Sequence, residues 1–280
     1  MPLSNAGKHP ITDNSQKAII IMTLTKDQFT DRLFRAFDRN SDTLGTPDAL
    51  KPYMQQQISD MFYALTEEML RVNAYMNLTA ITEPDEIIVK HYADCALIAP
   101  YLPQNASLCD VGTGGGFPSL PIAILRPDIT VLAVDSTQKK LDYVANTAKL
   151  LGLSNLSVKA SRAETLGQNT EYREAFDVVT ARAVARMNIL CEWCLPLVRK
   201  GGLFLAMKGR DGMTEYEEAQ NAINVLGGTA EMTSPYILRD PFAQQEDNDA
   251  MSRVLLSVKK RQFTPKQYPR ANAQIAKKPL

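Results

Sequence analysis

Residues 109–121 read CDVGTGGGFPSLP, with four glycines in five positions (112, 114, 115 and 116) behind an apolar run. Each glycine costs conformational entropy on folding, so a stretch this dense marks a place where something must approach the backbone closely. SLCDV (107–111) has strand character, and the residues after Pro118 have helix character. A glycine-rich turn between strand and helix is where open α/β sheets bind their ligands. The spacing Asp110-x-Gly112-x-Gly114-x-Gly116 departs from the dinucleotide fingerprint G-x-G-x-x-G, whose third glycine would fall on Phe117. The next apolar run, VLAVD, ends on Asp135. A carboxylate there can accept from both hydroxyls of a ribose, in charge-assisted bonds worth about 1.5–3 kcal/mol each. The same residue could instead cap the helix that follows. SRAETL (161–166) comes after a third strand-like run, and by itself reads as a helix start.

The elements that must position these residues are legible as alternation. SLCDV, ITVLAVD, LSVKAS, FDVVTA and GLFLAMK are short apolar runs bounded by turn residues, and 118–126, 137–151, 188–198 and 214–226 between them have helical character. Two more strand-like runs lie near 230–238 and 252–260. This order predicts an α/β fold with a mostly parallel seven-stranded sheet covered on both faces. Upstream, 29–39 has apolar residues spaced for a short amphipathic helix and 40–52 for a loop. Met54, Ile58, Met61, Phe62, Leu65, Met69 and Leu70 form one helical stripe. Pro84-Asp85-Glu86 opens a further helix running to about Tyr101. The division expected is an N-terminal extension (1–50), a helical segment (51–104), a ligand-binding α/β domain (105–262) and a basic tail (263–280).

Asp-x-Gly-x-Gly-x-Gly, followed by an acid at the end of the second strand, resembles the S-adenosylmethionine site of Rossmann-like class I methyltransferases. In those enzymes the adenine edge is read just after strand three, here at Ala163 and Glu164. The acceptor site lies after strand four, FDVVTARAVAR. Neither the Asn-Pro-Pro-aromatic loop of exocyclic-amine methylation nor the Pro-Cys nucleophile of pyrimidine-carbon methylation is present there. Arg182 and Ala183 stand in that place, with no evident general base. A ring nitrogen with an in-plane lone pair, such as guanine N7, needs no proton removed before attack, so alignment in a desolvated pocket can suffice.

Further motifs occur in order: NLTAIT (77–82), HYADC (91–95), DVGTGGGFPSLPIAILRPD (110–128), VDSTQKK (134–140), RAE (162–164), TARA (180–183), MKGR (207–210) and YPR…KKPL (268–280). Together they resemble the glucose-inhibited division protein B family, the RsmG-type methyltransferases, over about residues 60–280. The resemblance implies methylation of N7 of one guanine in bacterial 16S rRNA with S-adenosylmethionine as cofactor. It implies cofactor contacts at Gly112, Gly114, Gly116, Phe117, Asp135, Ala163, Glu164 and Arg182, with Arg182 in a positioning role. Two departures stand out. Cys95 replaces the usual serine after His-x-x-Asp, and Ala273 and Ile275 replace the usual Gly and Pro of the tail. A small-molecule methyltransferase and a non-catalytic RNA module that binds the cofactor are the alternatives.

The composition fits this reading. The chain of 280 residues is 45% hydrophobic with a formal net charge of zero, ordinary for a globular protein. Ser252–Leu280 nevertheless carries Arg253, Lys259, Lys260, Arg261, Lys266, Arg270, Lys277 and Lys278 and no acid. That polarity suits either an anionic partner or a solvated tail. With an rRNA substrate, Lys139, Lys140, Arg253, Lys266, Arg270, Lys277 and Lys278 are the candidate RNA contacts. Lys139 and Lys140 at a helix start fit an external phosphate or plain solvation equally. Four cysteines do not make a disulfide framework in a chain this long, and CEWC (191–194) reads as two buried thiols within an apolar helix. His91 and Asp94 read as a buried hydrogen-bonded pair, and no metal site is expected. Ala18–Leu24 is short for a leader and lacks a small-residue cleavage site, and no run approaches the 18–20 residues of a membrane span. A cytoplasmic monomer with the small ribosomal subunit as partner is expected.

Overall fold

A computed structural model describes residues 22–244 and 251–280; most of the apolar run from Ala18 lies outside them. The N-terminal helices come first. α1 (Lys26–Asn40) starts at a reciprocal cap, in which Thr25 accepts from the Gln28 backbone and the Gln28 side chain accepts from the Thr25 backbone. It buries Phe29, Leu33, Ala36 and Phe37. α2 (Gln56–Met76) buries Phe62, Leu65, Met69 and Leu70, four residues of the anticipated stripe, and ends at Asn77 in the left-handed region. α3 (Pro84–Ile87) passes into a π-helical stretch (Ile88–Ala93) and then α4 (Asp94–Ala96).

The α/β part follows as β1 (Ser107–Val111), α5 (Ser119–Leu125), β2 (Thr130–Asp135), α6 (Gln138–Leu150), β3 (Leu156–Ala160), α7 (Ala163–Gln168) and β4 (Phe176–Arg182). It continues with α8 (Met187–Cys194), β5 (Val198–Gly209), α9 (Gly212–Glu218), α10 (Gln220–Val225), β6 (Gly228–Ile237), β7 (Ser252–Lys260) and α11 (Asn272–Lys277). The strands form one seven-stranded sheet in the order β3-β2-β1-β4-β5-β7-β6. β1 to β5 pair in parallel, and β7 runs antiparallel to both β5 and β6. The mostly parallel α/β sheet anticipated from the alternation is therefore present. The long helix anticipated over 84–101 is instead interrupted by the π stretch and followed by a separate 3-10 turn at Ala99–Tyr101. The 214–226 segment divides into α9 and α10.

Strand alternation splits the core between the two faces. Leu108, Val178, Leu205 and Leu255 join one buried cluster, with α5, α6 and the N-terminal helices. Cys109, Val179, Phe204, Ala206, Val254 and Leu256 join the other, with α7, α8 and α10. α5 is buried at every residue because the sheet covers one side while α2 and α4 cover the other. All four cysteines are buried and free. Among the described residues no helix is long and apolar enough to cross a membrane, and no group of three His, Cys, Asp or Glu residues could hold a metal ion.

Candidate functional site

β1 and β4 are neighbours in the sheet while their connections leave toward opposite sides, which opens a crevice beyond their carboxyl ends. The turn after β1 is anchored from below. Asp110 is fully buried and accepts from the Ser119 hydroxyl and from Thr180 Oγ1 at 3.2 Å; burial raises its pKa. The Gly112 and Thr113 amides donate to Val134 O at 2.8 and 3.0 Å. Gly116 has φ +87°, and a Cβ there would fall 2.5 Å from Leu120 Cδ1, so its missing side chain serves packing against α5. Gly114, with φ +57° and no atom nearer than 3.9 Å to a built Cβ, faces open space instead.

A cavity of about 470 Å³ lies over this turn, within the range of small-molecule sites. Gly112, Gly114, Phe117, Asp135, Ala163, Glu164 and Arg182 all line it, together with Lys140; Gly116 and Lys139 do not. Asp135 Oδ2 accepts from Gly114 N at 3.0 Å and Oδ1 from Thr137 N at 2.8 Å. The N-cap of α6 is Thr137, so Asp135 ties the glycine turn to the helix entry from two residues upstream. A carboxylate offers about four lone-pair positions, so each oxygen can still accept a ligand hydroxyl.

Arg182 ends β4 beneath the cavity. Its Nη1 donates to Lys90 O and Asp94 Oδ2, both at 3.1 Å, and its Nη2 donates to His91 Nδ1 at 3.0 Å. Tyr236 OH donates to the other Asp94 oxygen at 2.9 Å. His91 and Asp94, expected from the sequence to be a bonded pair, are both buried and meet through this guanidinium. Burial, and then the Arg182 charge, lower the His91 pKa to about 3, so the ring is neutral. Since Nδ1 accepts, the proton sits on Nε2, which faces Thr79 Oγ1 at 3.1 Å. The imidazole stacks on Phe117 at 4.4 Å between ring centroids, and the Arg182 guanidinium lies 5.5 Å from the centre of the same ring.

Several lining residues have no cofactor role legible in the sequence. Thr79 is presented by Asn73 of α2, whose carboxamide bonds both Thr79 N and Thr79 O, at 3.0 and 2.9 Å. Thr79 Oγ1 accepts from Ile81 N and from His91 Nε2, so its own proton remains available as a donor. Ala183 holds φ +54°, a strained position for a residue with a Cβ, and Val184 beside it packs on Gly112. Trp193 and Asn272 also line the cavity. The Trp193 Nε1 atom is buried with no partner among the described residues. The thiols of CEWC are buried as expected, and its middle pair contributes more: Glu192 is a buried carboxylate and Trp193 a wall of the cavity.

The candidate RNA contacts separate by environment. Lys139, Lys266, Lys277 and Lys278 are exposed, and Lys140 and Arg253 are half-buried. Arg270 is bound to Glu192, which is fully buried.

The family model described as rRNA small subunit methyltransferase G (GidB) matches residues 58–237. The Ribosomal RNA small subunit methyltransferase G of Lactobacillus delbrueckii subsp. bulgaricus is 44% identical over 235 residues, 82% of this chain and 93% of the relative. Its counterpart from Oceanobacillus iheyensis is 42% identical over 229 residues, 81% and 93% of the two chains. Among solved structures, a branched-chain polyamine synthase of Thermus thermophilus shares the fold with a TM-score of 0.54 and 11% identity, over 78% of this chain and 68% of that one. On its site geometry and on these relatives, the chain belongs to the ribosomal RNA small subunit methyltransferase G family.

Proposed function

We propose that this chain methylates N7 of a guanine in 16S rRNA, with S-adenosylmethionine as methyl donor. One observation carries the reading. A single cavity gathers the glycine turn, the Asp135 carboxylate and the Ala163–Glu164 turn, while its imidazole is neutral and bonded through both ring nitrogens. The residues fit the cofactor. Asp135 has unused lone pairs for a ribose, and Gly114 leaves open space beside it.

Bound S-adenosylmethionine supplies an electrophilic methyl on a sulfonium. The chain orients and excludes water. Asp135 would hold the ribose, and Ala163 and Glu164 would border the base. Phe117, backed by the bonded His91–Arg182 pair, offers an apolar wall of the cavity. Leu78, Thr79, Ala183 and Val184 line the side left for the acceptor. His91 is not free to take a proton, and N7 of guanine has none to give up. With the cofactor held by these residues, positioning of the acceptor against it would supply the acceleration, a proximity effect of up to about 7–11 kcal/mol in well-oriented systems.

Lys139, Lys140, Lys266, Lys277 and Lys278 are the cations offered to the RNA backbone, with Arg253 at the start of β7. The enzyme acts as a monomer in the cytoplasm. Purified protein incubated with methyl-labelled cofactor and with naked 16S rRNA, small subunits or ribosomes tests the reading. Digestion to nucleosides should yield labelled 7-methylguanosine from at least one of the three. Label appearing only in another nucleoside, or in a small molecule without RNA, would refute the N7 assignment.

A further inference from the structure

The charge of the C-terminal segment suggests an arm for RNA, yet its contacts turn inward. Arg173 donates to the backbone carbonyls of Gly167 at 2.9 Å and of Thr264 and Tyr268 at 2.8 Å. Gln168 Nε2 donates to Pro269 O at 2.6 Å. Glu192 of α8, fully buried, accepts from the Arg270 backbone amide at 2.8 Å and from its Nε and Nη2 at 2.9 and 2.6 Å. Ile275 is buried beyond. A carboxylate removed from water this completely depends on its partner, so Glu192 holds residue 270 in place.

Next to each half of this pair stands a residue of the cavity wall. Trp193 follows Glu192, and Asn272 lies two positions after Arg270. Trp193 borders the cavity with the carbon atoms of its ring, because its Nε1 has no exposed surface. α8, which carries Trp193, packs on α7, whose first turn holds Ala163 and Glu164. Trp193 therefore stands on the element beside the Ala163–Glu164 turn, where a purine would sit. Asn272 adds a carboxamide that both donates and accepts.

We infer that residues 264–275 form a strap completing the cofactor cavity, in which Asn272 and the Trp193 ring border the purine end of the adenosyl ligand and the Glu192–Arg270 pair keeps them in position. The inference rests on the cavity being the S-adenosylmethionine site. Complete removal of the tail would test it poorly, because Glu192, Arg173 and Lys260 would all be stripped of buried partners.

Point variants of the full chain, titrated with S-adenosylhomocysteine, test it directly. Trp193 is the single tryptophan, so its emission reports the cavity wall. In the wild type, emission should change saturably with the ligand. Asn272→Ala should weaken binding about tenfold, the worth of one or two ligand hydrogen bonds. Its ligand-free unfolding midpoint should stay as in the wild type, and KM for S-adenosylmethionine should rise with little change in kcat. Glu192→Gln combined with Arg270→Met removes both charges together and should weaken binding at least as much. A wild type that binds, beside an Asn272→Ala variant of equal affinity and a folded double variant of equal affinity, overturns the strap while leaving the cofactor site intact. A wild type that shows no binding by emission or calorimetry overturns the cofactor site itself.

Discussion

Arg182 Nη2 lies 3.0 Å from His91 Nδ1, so a half-buried cation fixes the tautomer of a neutral imidazole and turns its remaining proton toward Thr79. This contact joins the end of β4 to the π-helical stretch and supports the wall at Phe117.

The pairing sets a pH dependence. The His91 pKa is about 3 in the folded chain, against 6.5 in the unfolded one, so between these values the unfolded state binds more protons. Stability should fall as pH drops from about 6.5 toward 3, by up to about 1.4 kcal/mol per pH unit from this group. His91→Gln removes that component, so the stability gap between wild type and variant should narrow from pH 7 to pH 5. Urea denaturation at each pH measures it, and a constant gap would contradict the neutral buried ring.

Arg182→Met should cost about 3–5 kcal/mol, because Asp94 keeps its charge in a buried site without its cation. Adding Asp94→Asn should recover part of the loss, with a coupling of about 0.5–3 kcal/mol in a double-mutant cycle. Additive losses would mean that the two side chains do not act as a unit.

Two glycines of one turn should respond differently. Gly116→Ala meets Leu120 at 2.5 Å in a left-handed conformation and should lose about 2–4 kcal/mol of stability. Gly114→Ala has space around its Cβ and should cost about 1–2 kcal/mol from backbone conformation alone. Since Gly114 lines the cavity, calorimetry should show its cofactor affinity reduced by more than its stability. Similar effects of both changes would mean that the turn only packs.

Asp135→Ala should lower S-adenosylhomocysteine affinity by about 10²–10³ through two missing ribose bonds. It should also cost about 1–3 kcal/mol of stability, since the Gly114 and Thr137 amides are left without their acceptor. Wild-type affinity in a folded variant would reduce Asp135 to an architectural role.

Replacing exposed Lys266, Lys277 and Lys278 by glutamine should flatten the log–log salt dependence of RNA binding by about 0.7–0.9 for each phosphate no longer neutralised. S-adenosylhomocysteine affinity should not change. An unaltered salt slope would place the RNA elsewhere on the surface.

Much of the fold is legible in the sequence because its signals are local. β1 and β7 begin and end where the apolar runs do, since turn residues bound them on both sides. The break in the 84–101 helix is not legible. Within it the Lys90 carbonyl accepts from Arg182, far along the chain, a contact that no local signal announces. Charge alone misleads at Arg270 for a similar reason. Its partner, Glu192, sits in an apolar helix whose sequence gives no hint of a buried carboxylate.

The sequence by itself determined the order of strands and helices, the glycine turn, and the Asp135 and Ala163–Glu164 positions. Each of these depends on residues within a few positions of one another, or on a strand's own carboxyl end. Only the tertiary structure decided that Thr79, His91, Trp193 and Asn272 share one cavity. They come from a loop, a π-helical turn, a helix and the C-terminal strap, and no periodicity along the chain links them. What brings them together is the cost of burying Arg182, Asp94 and Glu192 without partners, which long-range pairing alone removes.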